Sequence, residues 1–216
     1  MKGLYIKDFK LMMNQKMFFI VIAAMAIFFA VTQTNIFFVI SYATFIAAMF
    51  VISSISYDEF NNGNAFLFTL PVTRTGYVKE KYLFAATLAT GAWLAATILS
   101  IVVIQGTEVI ILEWFLTAAM ILLVALMMVL IIIPVQLKFG QSKGNVAMLL
   151  VMGGAFAIGY LVVSVLSNFG IDVFAMIDAL STIGLSGLLM ILLLMVAGAG
   201  IISYLISCKI MTEKEF

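Results

Sequence analysis

All eleven basic residues of this 216-residue chain fall into four short clusters, and three long stretches without Lys or Arg separate them. The clusters are Lys2, Lys7, Lys10 and Lys16; Arg74, Lys79 and Lys81; Lys138 and Lys143; and Lys209 and Lys214. The gaps run from Met17 to Thr73, from Tyr82 to Leu137 and from Gly144 to Cys208. One helical crossing of a membrane takes about 20 apolar residues, so each gap holds two crossings and a turn. The pattern predicts three helical hairpins. Basic residues are retained on the cytoplasmic side, which places the clusters and both termini inside and every hairpin tip outside. Glu108, Glu113, Asp172 and Asp178 lie where those outer tips should be.

Composition agrees with this solvent. The chain is 65% hydrophobic and 10% charged, with a mean hydropathy of +1.26, whereas soluble domains are about half apolar. The apolar runs are continuous and do not alternate with period two, so helices are expected and not an outer-membrane barrel. The fold class expected is an all-α polytopic membrane protein, one transmembrane domain over residues 1–216, with little chain left for a soluble domain. A net charge of +1 carries no sign of nucleic-acid binding. There is no His, and Cys208 is the only Cys. That composition excludes an internal disulfide, His-ligated haem, HExxH zinc sites and Ser-His or Cys-His nucleophile pairs, and no metal site is expected.

Residues 1–16 read as an interfacial helix. Tyr5, Ile6, Phe9, Met12 and Met13 fall within about 120° on a wheel of 100° per residue, with Lys7, Lys10 and Asn14 opposite. Such a helix lies flat at the inner headgroups; the alternative is a basic flank that only orients span 1. The spans are expected at about Met17–Val31, Ile36–Ser56, Tyr82–Ile104, Val109–Pro134, Val146–Leu166 and Leu185–Ser207, the first being retained and not a cleaved leader. Thr32 to Asn35 make the first turn tight. Glu113 beside Trp114 reads as an interfacial pair with the indole at headgroup depth, or as an ion-pathway carboxylate. Pro134 can stop or kink the fourth span near its inner end. Small residues at Gly153, Gly154, Ala155 and Gly159, and at Ala197 to Gly200, offer faces for close helix packing. Residues 167–184 are too apolar for a solvated loop and too interrupted for a span, and read as short half-buried outer helices.

The longest polar stretch, YDEFNNGNAFLFTLPVTRTGYVKEK over residues 57–81, is cytoplasmic by the charge rule. Its middle is apolar, with Phe60, Ala65, Phe66, Leu67, Phe68 and Leu70. Pro71 ends a short helix there, because the residue before proline disfavours helical geometry, and Thr73 or Thr75 caps the next one. Three phenylalanines at 60, 66 and 68 must bury against the bilayer, the rest of the chain or a partner protein.

No Lys, Arg, Asp or Glu lies near the middle of any span, which disfavours proton-coupled transport, since that chemistry needs a buried ionisable group at midplane. No GxxxxGK[ST] loop is present to cradle a nucleotide; Phe139 to Asn145, FGQSKGN, lacks the spacing. If ATP drives this protein, another polypeptide binds it.

The run Asp58-Glu59, Gly63, Leu70-Pro71-Val72-Thr73-Arg74, Val78 and Lys81-Tyr82, after two spans and before four, resembles the type-2 ABC exporter permeases of Gram-positive bacteria. It is most similar to the six-span subfamily with the permeases of phenol-soluble modulin exporters and peptide-antibiotic immunity systems. Asn61, Asn62 and Asn64 stand where family members often carry an aromatic or charged residue. The resemblance implies a permease that is not itself an enzyme, in the bacterial cytoplasmic membrane. ATP and Mg would be bound and hydrolysed by two copies of a separately encoded ABC ATPase, and no cofactor by this chain. It implies a homodimer with the substrate path between the chains, and export of amphipathic peptides or hydrophobic drugs by alternating access. Residues 57–81 would hold the coupling helix, with Phe60, Phe66, Leu67 and Phe68 as apolar anchors. Asp58, Glu59 and Arg74 would then make charged contacts, or else form a local salt-bridged cap. Phe18, Phe19, Phe28, Phe29, Phe37, Phe38, Phe45 and Phe50 are candidates for a cargo-facing lining, or simply for lipid-facing surface. A sodium-coupled or facilitative carrier and a structural membrane subunit are the alternatives.

Overall fold

The structure is a computed structural model that describes residues 2–32, 35–60, 63–104, 110–168 and 183–214. The elements there are all helices: α1 (Lys2–Asn14), α2 (Lys16–Val31), α3 (Ile36–Glu59), α4 (Gly63–Leu67), α5 (Arg74–Ile104), α6 (Ile111–Asn168) and α7 (Gly184–Glu213). Four stretches are long and apolar enough to cross a membrane: α3, α5 over Arg74–Val102, α6 over Ile111–Gly140, and α7. A fifth is reached if α1 and α2, which meet at a bend of 65°, count as one broken span. The expected fifth crossing, 146–166, falls in the second arm of α6, and the turns at 33–34 and 105–109, Asn61, Asn62 and the outer segment at 169–182 lie outside the described residues.

Local chemistry sets several boundaries. Asn35 caps α3, its side-chain oxygen accepting from the Phe37 N–H at 3.1 Å, and the Thr73 hydroxyl caps α5 by accepting from the Gly76 N–H at 3.1 Å. Helix α5 therefore starts eight residues before the apolar run at Tyr82. Pro134 neither stops α6 nor marks its break. The helix continues to Gly140, whose backbone (φ 68°, ψ −172°) is open essentially to glycine alone, and this residue divides α6 into two arms.

Helix α3 is central, packed against α2, α4, α5 and α6, while α7 lies on α5 and α6 and α1 rests on α5. Apolar burial cannot drive helices together inside lipid, so close approach and polar links carry the packing. Ala43, Ala47, Ala48, Ala85, Ala89 and Ala118 are all buried and bring α3, α5 and the first arm of α6 close. Polar links cross the bundle: Tyr82 shares its hydroxyl with Ser203 and Ser207 on α7, Ser203 donates to the Leu130 carbonyl, and the Trp93 indole donates to Ala118 O at 2.8 Å. Trp114 is buried among Ile40, Ala43, Ala96 and Ala118, so its indole packs inside the bundle, whereas Glu113 beside it is exposed. The small alanine side chains leave room for the flat indole between the helices. Phe50 is buried against Phe18 and Phe19, and Phe29 meets Phe38 and Tyr42 edge-on; Phe18, Phe28 and Phe38 remain exposed. At Gly153 and Gly154 an added Cβ would meet nothing within 4 Å; the surroundings of Ala155 and Gly159 lie outside what is described.

Candidate functional site

The site builds outward from a buried cluster of charge at the end that holds the basic residues. Lys81, on the second turn of α5, is fully buried, and its ammonium bonds Asp8 Oδ2 of α1, Asp58 Oδ2 of α3 at 2.7 Å and the Ser54 hydroxyl at 2.6 Å. Ser54 donates in turn to Asp8 Oδ2 at 2.7 Å, Tyr77 donates its hydroxyl to Asp58 Oδ2 at 3.1 Å, and Lys7 donates to Asp58 Oδ1. Three helices are thereby pinned by paired, hydrogen-bonded charges, the only form in which charge is tolerated away from water. Burial pushes the Asp8 carboxyl up, but the nearby Lys81 and Lys7 ammonium groups outweigh it and leave Asp8 below its ordinary value.

This arrangement turns α1 relative to the sequence expectation. Asp8 and Leu4 are its buried residues, and Tyr5 turns inward to donate to Thr87 Oγ1 at 2.9 Å. Lys7, expected on the solvated face, points into the cluster. Ile6, Phe9, Met13 and Lys10 stay exposed. The apolar stripe is thus split between protein contact and an outward face of Ile6, Phe9 and Met13.

Beyond Asp58 the chain folds back on itself. A Cβ at Gly63 would come within 2.6 Å of the Asp58 carbonyl oxygen, so only glycine lets α4 start this close to the end of α3. Helix α4 ends at Leu67, before Pro71, with the Thr69 hydroxyl bonding the Phe66 carbonyl at 2.7 Å. Within this short helix the apolar residues divide by direction. Leu67 and Phe68 pack on the core with Tyr77 and Val78, Phe68 edge-on to the Tyr77 ring at 5.8 Å. Phe66, Phe60 and Leu70 are 71%, 58% and 45% exposed, and Pro71 is exposed with them.

The remaining charges brace this turn. Arg74 Nη1 lies 2.9, 2.8 and 2.8 Å from the carbonyl oxygens of Met211, Thr212 and Lys214, so it caps the C-terminal end of α7, where carbonyls lack helical partners and the dipole favours a cation. Its guanidinium also lies 5.9 Å from the Phe68 ring centroid. Glu59 accepts from Lys214 at 2.6 Å, and Lys214 also reaches the Leu137 carbonyl at 3.0 Å. The Glu59 carboxylate occupies the space a side chain at Gly140 would need: an added Cβ there would lie 2.6 Å from Glu59 Oε2.

The site residues named from sequence therefore come together, but in two groups. Asp58, Glu59, Gly63 and Arg74 hold the shape, and Phe60, Phe66, Leu70 and Pro71 are presented on it. Sequence reading passed over Asp8, Ser54, Tyr77 and Glu80. The signal for Asp8 was its place as the one acid within the first basic cluster, one helical turn after the apolar Leu4. Among the described residues no group of acids, Cys or His is placed to hold a metal.

A family model described as ABC-2 family transporter protein (ABC2_membrane_5) matches residues 3–212, nearly the whole chain. No curated protein and no solved structure matches.

Proposed function

This chain belongs to the ABC-2 family of transporter proteins, and from that premise we propose that it is the permease of an ATP-driven exporter, working in the bacterial cytoplasmic membrane as a homodimer with two copies of an ABC ATPase. Membership of the family implies association with such an ATPase subunit. The observation that carries the reading is the exposure of Phe60, Phe66 and Leu70 on a turn braced from three sides by Asp58, Glu59 and Arg74. Exposed aromatic side chains on a rigid support are what a protein partner uses as anchors. A flexible loop would dissipate a push, whereas this one is tied to α1, α5, the arm break of α6 and the end of α7. Closure of the ATPases on ATP and Mg, which this chain does not itself bind, would displace the turn and change the packing of all four elements.

In this reading there are six crossings with both termini cytoplasmic, the second arm of α6 supplies the fifth, and its open face at Gly153 and Gly154 is available to a second copy. The cargo class is amphipathic peptides or hydrophobic drugs, which suit the phenylalanine- and methionine-rich α2 and α3. The test is copurification and coupling. The chain coexpressed with the ATPase encoded beside it should isolate as a stable complex whose ATPase activity rises on reconstitution. Transport by the purified chain in liposomes with no ATPase would overturn the reading. Cysteines near Asn35, Gln105 and Asp172 should react only from outside the cell; labelling from the cytoplasm would overturn the topology.

A further inference from the structure

The function proposed above uses neither Asp8 nor Glu80, yet Asp8 is 0% and Glu80 2% exposed. Three carboxyls surround the Lys81 ammonium: Asp8 Oδ2 and Asp58 Oδ2 in direct hydrogen bonds, and Glu80 Oε2 at 3.8 Å. Among the described residues one further ammonium joins them, that of Lys7, on Asp58 Oδ1 and 3.1 Å from Asp8 Oδ1. Three carboxylates against two ammonium groups leave one surplus negative charge.

The hydrogen bonds show where that surplus sits. Both Asp58 oxygens and Asp8 Oδ2 have donors, and Asp8 Oδ1 has the Lys7 ammonium 3.1 Å away, whereas neither buried Glu80 oxygen accepts a hydrogen bond among the described residues. The neighbouring donors are already engaged: Ser54 on Asp8, Tyr77 on Asp58 and Tyr5 on Thr87. Lys2 and Tyr5 line the cavity of about 300 Å³ beside Glu80, with Ile6 and Leu83, but neither bonds it. Both carboxyls adjoin the one Lys81 ammonium, Asp8 Oδ2 in a hydrogen bond and Glu80 Oε2 at 3.8 Å, which sets them side by side. An ionised buried carboxylate without a donor is strongly disfavoured, and two adjoining carboxyls resolve this by holding one proton between them.

We propose that Glu80 and Asp8 form a buried proton-binding site, in which Glu80 holds one proton at neutral pH and donates it to the Asp8 carboxylate. Asp8 is the acceptor because Lys81, Lys7 and Ser54 already stabilise its ionised form. The bound proton removes the surplus charge and gives the Glu80 carboxyl a hydrogen-bond partner. It also adds a bond between α5 and α1 that is lost when the proton leaves, so attachment of α1 depends on pH. Because the folded state holds a proton that the unfolded chain has released, stability falls as pH rises from the acidic range through the titration of the pair.

The experiment uses the full chain in detergent or nanodiscs and follows two readouts between pH 5 and pH 9.5. Infrared spectra of wild-type protein with ¹³C-labelled glutamate should show a protonated glutamate band at pH 7 that fades at alkaline pH, and the band should be missing in Glu80→Gln. Glutamine mimics the protonated acid and can donate to Asp8, so Glu80→Gln should melt no lower than wild type at pH 7 and lose the decline in Tm that wild type shows as pH rises through the titration of Glu80. The proposal is overturned if wild-type protein shows no protonated glutamate at pH 7. It is equally overturned if Glu80→Gln lowers Tm at pH 7 as much as at pH 9, the result expected of an ionised Glu80 that pairs with Lys81. Should the variant fail to fold, the labelled wild-type spectrum alone decides.

Discussion

Lys81 Nζ lies 2.7 Å from Asp58 Oδ2, and this buried pair joins the start of α5 to the end of α3 at the point where the chain enters the α4 turn. The same ammonium holds Asp8, so one side chain fixes both the surface helix α1 and the base of the presented turn. Removing it should uncouple both.

Lys81→Met should destabilise the fold by about 3 to 5 kcal/mol, since it leaves Asp8 and Asp58 buried with too few partners. Asp58→Asn, whose one amide oxygen can still accept from an ammonium while Asp8 keeps its pairing with Lys81, should cost less. Thermal or SDS unfolding of the purified variants ranks the two, and equal Tm values for Lys81→Met and wild type would refute the structural role of the cluster.

Phe66→Asp should leave Tm within a few degrees of wild type, because its side chain is exposed, and should abolish stimulation of the ATPase. Leu67→Asp and Phe68→Asp should instead lower stability by about 2 to 4 kcal/mol, since a charge enters packed surface. The contrast separates presentation from packing. Normal coupling by Phe66→Asp would remove this residue from the docking face.

Gly140→Ala should cost roughly 1 to 3 kcal/mol from its positive φ alone, plus the clash with Glu59. Adding Glu59→Ala to that variant should recover only the steric part. A double-mutant cycle on Tm therefore yields a favourable coupling between positions 59 and 140, and strict additivity would count against the contact.

Arg74→Gln should release the end of α7, raising hydrogen exchange at 211–214 and costing about 1.5 to 3 kcal/mol, the range for hydrogen bonds to a charged group. Arg74→Lys should retain part of the protection, because an ammonium still complements the helix end but lacks the planar fork that meets several carbonyls. Unchanged exchange in Arg74→Gln would show that the cap is not formed in solution.

Asp8 has its folded-state pKa below the unfolded value of about 3.9. Its contribution is thus present above that unfolded value and is lost as pH falls through the folded one. Wild-type stability should drop on acidification below about pH 4, and Asp8→Asn should start lower at neutral pH and show a shallower acid limb. An identical acid limb in both proteins would assign the loss to other carboxyls.

The six apolar runs and the four basic clusters were legible in the sequence because membrane insertion is decided locally: a window of about 20 residues either partitions into lipid or does not. A threonine cap at 73 or 75 was legible for the same reason, since a cap acts within three residues, and the structure selects Thr73. The partners of Asp58 were not. Lys81, Tyr77 and Lys7 lie 23, 19 and 51 positions away by their numbers in the chain, and no periodicity links them. The apolar residues of α4 could be counted but not sorted, because one helix of five residues has no settled inward face until it is placed against Tyr77 and Val78.

By itself, then, the sequence determined the solvent, the helical class, the clustering of basic residues between apolar runs and the polar segment 57–81 with its apolar middle, all consequences of local composition. Only the tertiary structure decided that Asp8, Asp58, Glu80 and Lys81 share a buried site, that the Glu59 carboxylate lies over position 140, and that Phe66 faces outward while Phe68 does not. Those facts depend on which distant residues meet, and burial of charge is tolerated only where such a meeting supplies the counter-charge.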